Sequence, residues 1–232
     1  MINENLKEKA LFIFKLLEKH YPDAKTILKW GNNFELLTAI ILSAQCTDKK
    51  VNEVTAKLFP KYRNLKLKNK SLNLKNIKLT PEIQEIINFS AIPITELETD
   101  IKSTGFYRNK AKNLKNAANF ILEHYFGILP KTINELIKIP GVGRKTANVF
   151  LGNAHGITEG IAVDTHVAKQ AQLLGFTKNT NPDKIEVDLI NLFPKDKWFK
   201  LTYLLIEHGR NMRMAKSKRS RCDDPKCILC KK

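Results

Sequence analysis

Lys145 stands in the run Ile139-Pro140-Gly141-Val142-Gly143-Arg144-Lys145-Thr146-Ala147, and nineteen positions further on Asp164 stands in Ala162-Val163-Asp164-Thr165-His166. A primary amine directly behind a tight glycine turn, with a carboxylate downstream, pairs a nucleophile with a group that can steady positive charge. That set suits chemistry at a sugar. Both glycines are free to take positive φ and to let another backbone come close. The flanking segments, Thr132 to Lys138 and Arg144 to Asn153, read as helices. Amides opening the second would then point outward at the positive end of its dipole, a seat for one phosphate. Gly-Val-Gly alone suits an ordinary interhelical turn equally well. Two nucleotide motifs are excluded: a phosphate loop needs glycine immediately before the lysine, where Arg144 stands, and the dinucleotide fingerprint needs glycine where Thr146 stands.

The elements that must position these residues read as helices. Leu6, Ala10, Ile13, Phe14 and Leu17 mark one face of an opening helix that Pro22 ends. Phe34 to Ala44 is apolar nearly all round, as a buried helix would be. Asp48 to Leu58 forms a third helix capped by Thr47. Pro81 to Asn88 adds a further turn or two, Thr95 with Glu98 makes a capping-box signature, and Tyr107 to Tyr125 shows long helical periodicity. Beyond the glycine turn come Thr165 to Leu174, Pro182 to Leu192 and Lys197 to His208. Strand signal is poor except in Leu65 to Leu79, which partly alternates and suits a small hairpin or a loop. The fold class is all-α.

With 232 residues the chain can bury a sizeable core in one or two domains. A formal charge of +17 attracts a polyanion, and without an amphipathic anchor that polyanion is nucleic acid rather than a membrane. No signal peptide and no run long enough to span a bilayer is present, so a cytoplasmic, nucleoid-associated location is expected. Of four cysteines, Cys222, Cys227 and Cys230 crowd near the C-terminus, which points to thiols or a metal site rather than disulfides.

Three blocks, Leu42-Ser43-Ala44-Gln45-Cys46-Thr47-Asp48, Ile139 to Ala147 and Ala162 to His166, occur in the order in which the endonuclease III family of helix-hairpin-helix DNA glycosylases carries them. The chain resembles that family. Gly105-Phe106-Tyr107 with Asn109-Lys110-Ala111, and Glu207-His208-Gly209-Arg210, extend the resemblance from about Trp30 to Arg210. It implies a two-domain helix-hairpin-helix glycosylase fold: residues 26–157 as a six-helix barrel domain with the hairpin at about 132–153, and residues 1–25 with 158–232 as the second. The active site would lie in the interdomain cleft. The implied activity is base-excision repair of double-stranded DNA, with removal of oxidised pyrimidines and β-elimination 3′ to abasic sites, by a monomer.

By the same resemblance Lys145 attacks C1′, expels the base and leaves an imine. Attack needs the neutral amine, which is scarce at neutral pH for a lysine of ordinary pKa, about 10.4. Arg144, the helix N-terminus and desolvation would favour it. Asp164 would steady charge and manage protons. Flipping the base into a pocket leaves a gap that Gln45 would fill, with Phe106 as the wedge, while Gly141, Gly143 and Arg144 contact the DNA. From the residues alone, Asp164 also reads as a helix N-cap, Gln45 as a cap, Phe106 as core and Lys145 as a phosphate contact. A noncatalytic DNA-binding module and a glycosylase for another lesion are therefore the alternatives. His166 and His208 read as packing residues.

No cofactor is required for this catalysis. The family commonly ends in four cysteines, separated by six, two and five residues, that hold a four-iron, four-sulfur (4Fe-4S) cluster. Here the spacing is four and two, and Arg213 stands near the expected first ligand. Cys222, Cys227 and Cys230 are the candidate metal ligands. Zinc would need a fourth donor from His208, Cys46 or outside the chain. A tail that ligates nothing, a zinc site and a cluster remain as readings.

Overall fold

The computed structural model describes residues 4–68 and 78–214. They form eleven α-helices and two short 3-10 turns, and no strand occurs among the described residues. Most helix starts are written in the side chains. Asn32, Thr47, Thr80, Thr132, Asp164 and Asn181 each accept a hydrogen bond from a first-turn amide of the helix that follows, and Pro81 and Pro182 occupy the first helical position. Thr95 departs from this pattern. The helix there runs Ile94–Ile101 with Pro93 at its start and no side-chain cap, because proline's fixed φ sets the helix in motion before Thr95 is reached. The capping box expected from Thr95 and Glu98 is thus absent.

Two compact units result, each with its own core. The first, Ile27–Ile157, holds α2 (Asn33–Leu42), α3 (Asp48–Asn64), α4 (Pro81–Ala91), α5 (Ile94–Ile101), α6 (Tyr107–Tyr125), α7 (Ile133–Leu136) and α8 (Arg144–His155). Every residue of α2 from Phe34 to Leu42 is buried, so this helix is the unit's central post. Residues 65–68 form no strand; Asn88 holds them as a loop, its amide donating to the carbonyls of Tyr62 and Leu65 while its oxygen accepts from Leu67 N. The remainder of the segment expected as a hairpin or loop includes 69–77, outside the described residues.

The second unit comprises the described parts of Met1–Thr26 and Thr158–Lys232. Here α1 (Glu4–His20) packs its stripe of Ala10, Ile13, Phe14 and Leu17 with α9 (Thr165–Leu173), α10 (Pro182–Leu192) and α11 (Trp198–Met214). The last helix outruns its expected end at His208 by six residues. At Gly209 a Cβ would lie 3.2 Å from His166 Nδ1 and 3.3 Å from Gln170, so the missing side chain lets α9 and α11 approach closely.

Candidate active site

Between α7 and α8 the chain reverses through Ile139-Pro140-Gly141-Val142. Val142 N donates to Ile139 O at 3.0 Å, and Gly141 has φ +80°. Proline at the second position and positive φ at the third define a type II turn, which demands glycine there. A Cβ on Gly141 would also sit 2.8 Å from Asn113 Cβ on α6, so the turn is seated directly against that helix. Gly143 differs from expectation. Its φ is −93°, an ordinary extended value, and a Cβ built there meets nothing within 4 Å. Its backbone needs no glycine; what it provides is open space in front of the helix.

Gly143 is the N-cap of α8 and supplies no side-chain cap. The first-turn amides of Lys145 and Thr146 have no intrahelical acceptor by construction, and the helix dipole puts partial positive charge at the same place. Lys145 is exposed at this turn. The helix beneath it is anchored by buried Ala147, Asn148, Phe150 and Leu151, which face the core. A flexible amine thus projects from a rigid, anion-seeking helix start.

Asp164 lies in the second unit, half-buried behind the buried run Ile161, Ala162 and Val163. Its Oδ1 accepts from His166 N at 2.9 Å and Val167 N at 2.8 Å, so the carboxylate is the N-cap of α9. Capping is fact for this residue. Both amide bonds fall on one oxygen, Oδ1.

Neither Gln45 nor Phe106 is core, and Phe106, though at the N-cap position of α6, makes no side-chain capping bond. After α2, a turn closed by Cys46 N donating to Ser43 O places Gln45 at φ 52°, with its side chain exposed. Phe106 sits before α6 at φ 47°, 65% exposed. Left-handed backbone disfavours both residue types, by about 1–2 kcal/mol each. An exposed phenyl ring in that state breaks two rules together, and such violations gather where function outweighs stability. Phe126, also at positive φ, has an ordinary reason: it follows the last turn of α6, where a left-handed residue ends many helices.

Sequence reading missed Lys110. It is 4% exposed, and its Nζ donates to Leu42 O and Thr104 O, each at 2.8 Å. A signal existed, since Lys110 falls in register with the stripe Leu114, Ala118 and Ile121, a position where a core residue belongs. His208 is buried at 2% exposure, with Nδ1 3.2 Å from Tyr21 Oη, and burial pushes its pKa down to about 4. It stays neutral, as a packing residue should.

The described residues hold no group of three or more His, Cys, Asp or Glu side chains able to bind a metal. Cys222, Cys227 and Cys230 lie outside the described residues, and Cys46 packs against the core of the other unit. No described helix is long and apolar enough to cross a membrane.

The profile described as "HhH-GPD superfamily base excision DNA repair protein" matches residues 38–195. The chain is 42% identical to the endonuclease III of Synechocystis sp. over 88% of its own length and 84% of that protein's. To the endonuclease III of Bacillus subtilis it is 39% identical, over 97% and 90% respectively. Among solved structures, a trapped endonuclease III–DNA covalent intermediate, an estranged-adenine complex, superposes with a TM-score of 0.81 at 37% identity, covering 99% of this chain and 94% of that one.

Proposed function

The chain belongs to the endonuclease III family of the HhH-GPD superfamily of base excision DNA repair proteins, and from that premise we propose that it is a DNA glycosylase and abasic-site lyase with Lys145 as its nucleophile. The observation that carries the assignment is the exposed amine in the first turn of α8, directly behind a type II turn and an uncapped helix start. A phosphate seated on those amides would bring the neighbouring sugar beside the amine. The likeness to a trapped covalent protein–DNA intermediate supports a covalent course.

In the proposed reaction Lys145 Nζ attacks C1′, the C1′–N bond to the base breaks, and the base departs with a proton. The resulting amino-sugar opens to an imine. Loss of a proton from C2′ then breaks the C3′–O bond and releases the 3′ phosphate, and water hydrolyses the imine to free the lysine. Asp164 steadies the cationic sugar as the first bond loosens and passes protons for lysine attack. Gln45 and Phe106 enter the duplex as the base leaves the stack. Oxidised pyrimidines in double-stranded DNA are the proposed substrates, and the protein acts as a monomer.

Borohydride trapping on an abasic duplex tests the nucleophile. Wild-type protein should form a covalent adduct, and Lys145→Gln should abolish it while binding the duplex within about threefold of wild type, since one phosphate-side contact among several is altered. An undiminished adduct in the variant would remove Lys145 from its role. No adduct with wild-type protein would return the chain to a noncatalytic DNA-binding module.

A further inference from the structure

We propose that Lys110 is a positioning residue for base extrusion, its ammonium clamping together the two loops that carry Gln45 and Phe106. The inference rests on the reading that those two side chains enter the duplex. Leu42 is the last residue of α2 and Thr104 the last of the 3-10 turn after α5, so Lys110 binds the carbonyl ends of two helical segments at once. Gln45 follows three residues after the first and Phe106 two residues after the second. Negative helix ends suit a cation, which offsets part of the desolvation that burial imposes. That burial draws the lysine's pKa below its ordinary value.

A leucine or methionine would fill the same core position without burying a charge, so the ammonium serves something other than packing. Gln45 and Phe106 both hold left-handed backbone, and such conformations persist where surrounding contacts over-determine them. Lys110 contacts the root of each loop. Position on α6 extends the argument: Lys110 and Asn113 are spaced i, i+3 on neighbouring turns, and Phe106 directly precedes the helix. Asn113 backs Gly141 of the hairpin. One helix therefore follows directly on the wedge, grips the loop of the gap-filling glutamine and supports the phosphate-seating turn, fixing the spacing among all three.

The test compares two rates on the full chain: single-turnover excision of an oxidised pyrimidine from duplex, and cleavage of a single-stranded abasic oligonucleotide that needs no extrusion. Lys110→Met should lower the first by about 10- to 100-fold and the second by no more than about threefold, because misplacement of positioning groups is costly only where they act. A 2-aminopurine base beside the lesion should lose its extrusion-linked fluorescence rise in parallel, and Lys110→Arg should recover part of it. In a Phe106→Ala background the Met substitution should add little further loss, as expected when both act at one step. Equal loss on both substrates, or none on either, would overturn the proposal. If Phe106→Ala itself leaves the ratio of the two rates unchanged, the wedge reading fails; if that ratio falls but Lys110→Met leaves it intact, the clamp fails. Wild-type protein gives a check that needs no substitution. Amides of Ala44 to Cys46 and of Gly105 and Phe106 should open together in hydrogen exchange, and independent opening would refute the clamp.

Discussion

The glycines of the hairpin look equivalent in the sequence, yet they do different things. Gly141 needs positive φ and the absence of a Cβ against Asn113, whereas Gly143 needs neither. Gly141→Ala should therefore destabilise the protein by about 2 kcal/mol or more, read from urea unfolding. Gly143→Ala should leave the unfolding midpoint near wild type but weaken binding to abasic duplex, because its open side is where DNA backbone would approach. Asp164 allows a similar separation of roles. Asparagine caps as well as aspartate, so Asp164→Asn should keep stability within a few tenths of a kcal/mol while slowing excision, and Asp164→Ala should cost about 1 kcal/mol besides. Equal excision rates in wild type and Asp164→Asn would leave it a cap alone. The site's residue types were legible because their order in the chain is distinctive. The left-handed backbone at Gln45 and Phe106 was not, because no local residue preference announces it; the loops are held from elsewhere.

At the scale of elements, α2 and α4 meet through a buried carboxyl pair. Glu35 and Glu85 are both fully buried; Arg63 Nε donates to Glu35 Oε1 at 2.6 Å, and Asn32 Nδ2 to Glu85 Oε2 at 2.7 Å. Burial, with the Glu35 charge beside it, pushes Glu85 up to about 8. The native state then binds a proton that the unfolded chain has released, from about pH 4.5 up to about pH 8. Stability from this group is full below that window and falls as pH rises through it. Glu85→Gln, which keeps the neutral shape, should flatten the decline, and its gain over wild type should be larger at pH 8 than at pH 5 in urea midpoints. A parallel pH dependence in the two proteins would contradict the assignment. Helix identities were readable from apolar period and capping residues, as in α6 and α10, whose ends match expectation. What period could not supply was a lysine in a core stripe that binds carbonyls of distant segments, since Leu42 lies 68 residues from Lys110 in the chain. Contacts of that kind exist only once the helices are packed.

For the molecule as a whole, the formal charge of +17 is not all available to DNA. Lys110 is spent on the ends of α2 and the 3-10 turn, Lys115 on the carbonyls of Ser90 and Ile92, and Lys200 on Pro22 O. Cys222, Cys227 and Cys230 take no part in the proposed chemistry of Lys145 and Asp164, so Cys222→Ser should leave lyase cleavage within about twofold of wild type. The discontinuous second unit has a consequence for synthesis. Leu17 of α1 is buried in one core with Ile185 and Leu204. At about 5–20 residues per second, a ribosome needs roughly 8 to 34 s to reach Ile185 after Leu17 has been made. During that interval the apolar face of α1 has no partner, while all of Ile27–Ile157 emerges and can close its own core. A helix made before the whole of Ile27–Ile157 thus finds its place after it, and a nascent chain must keep α1 from sticking elsewhere.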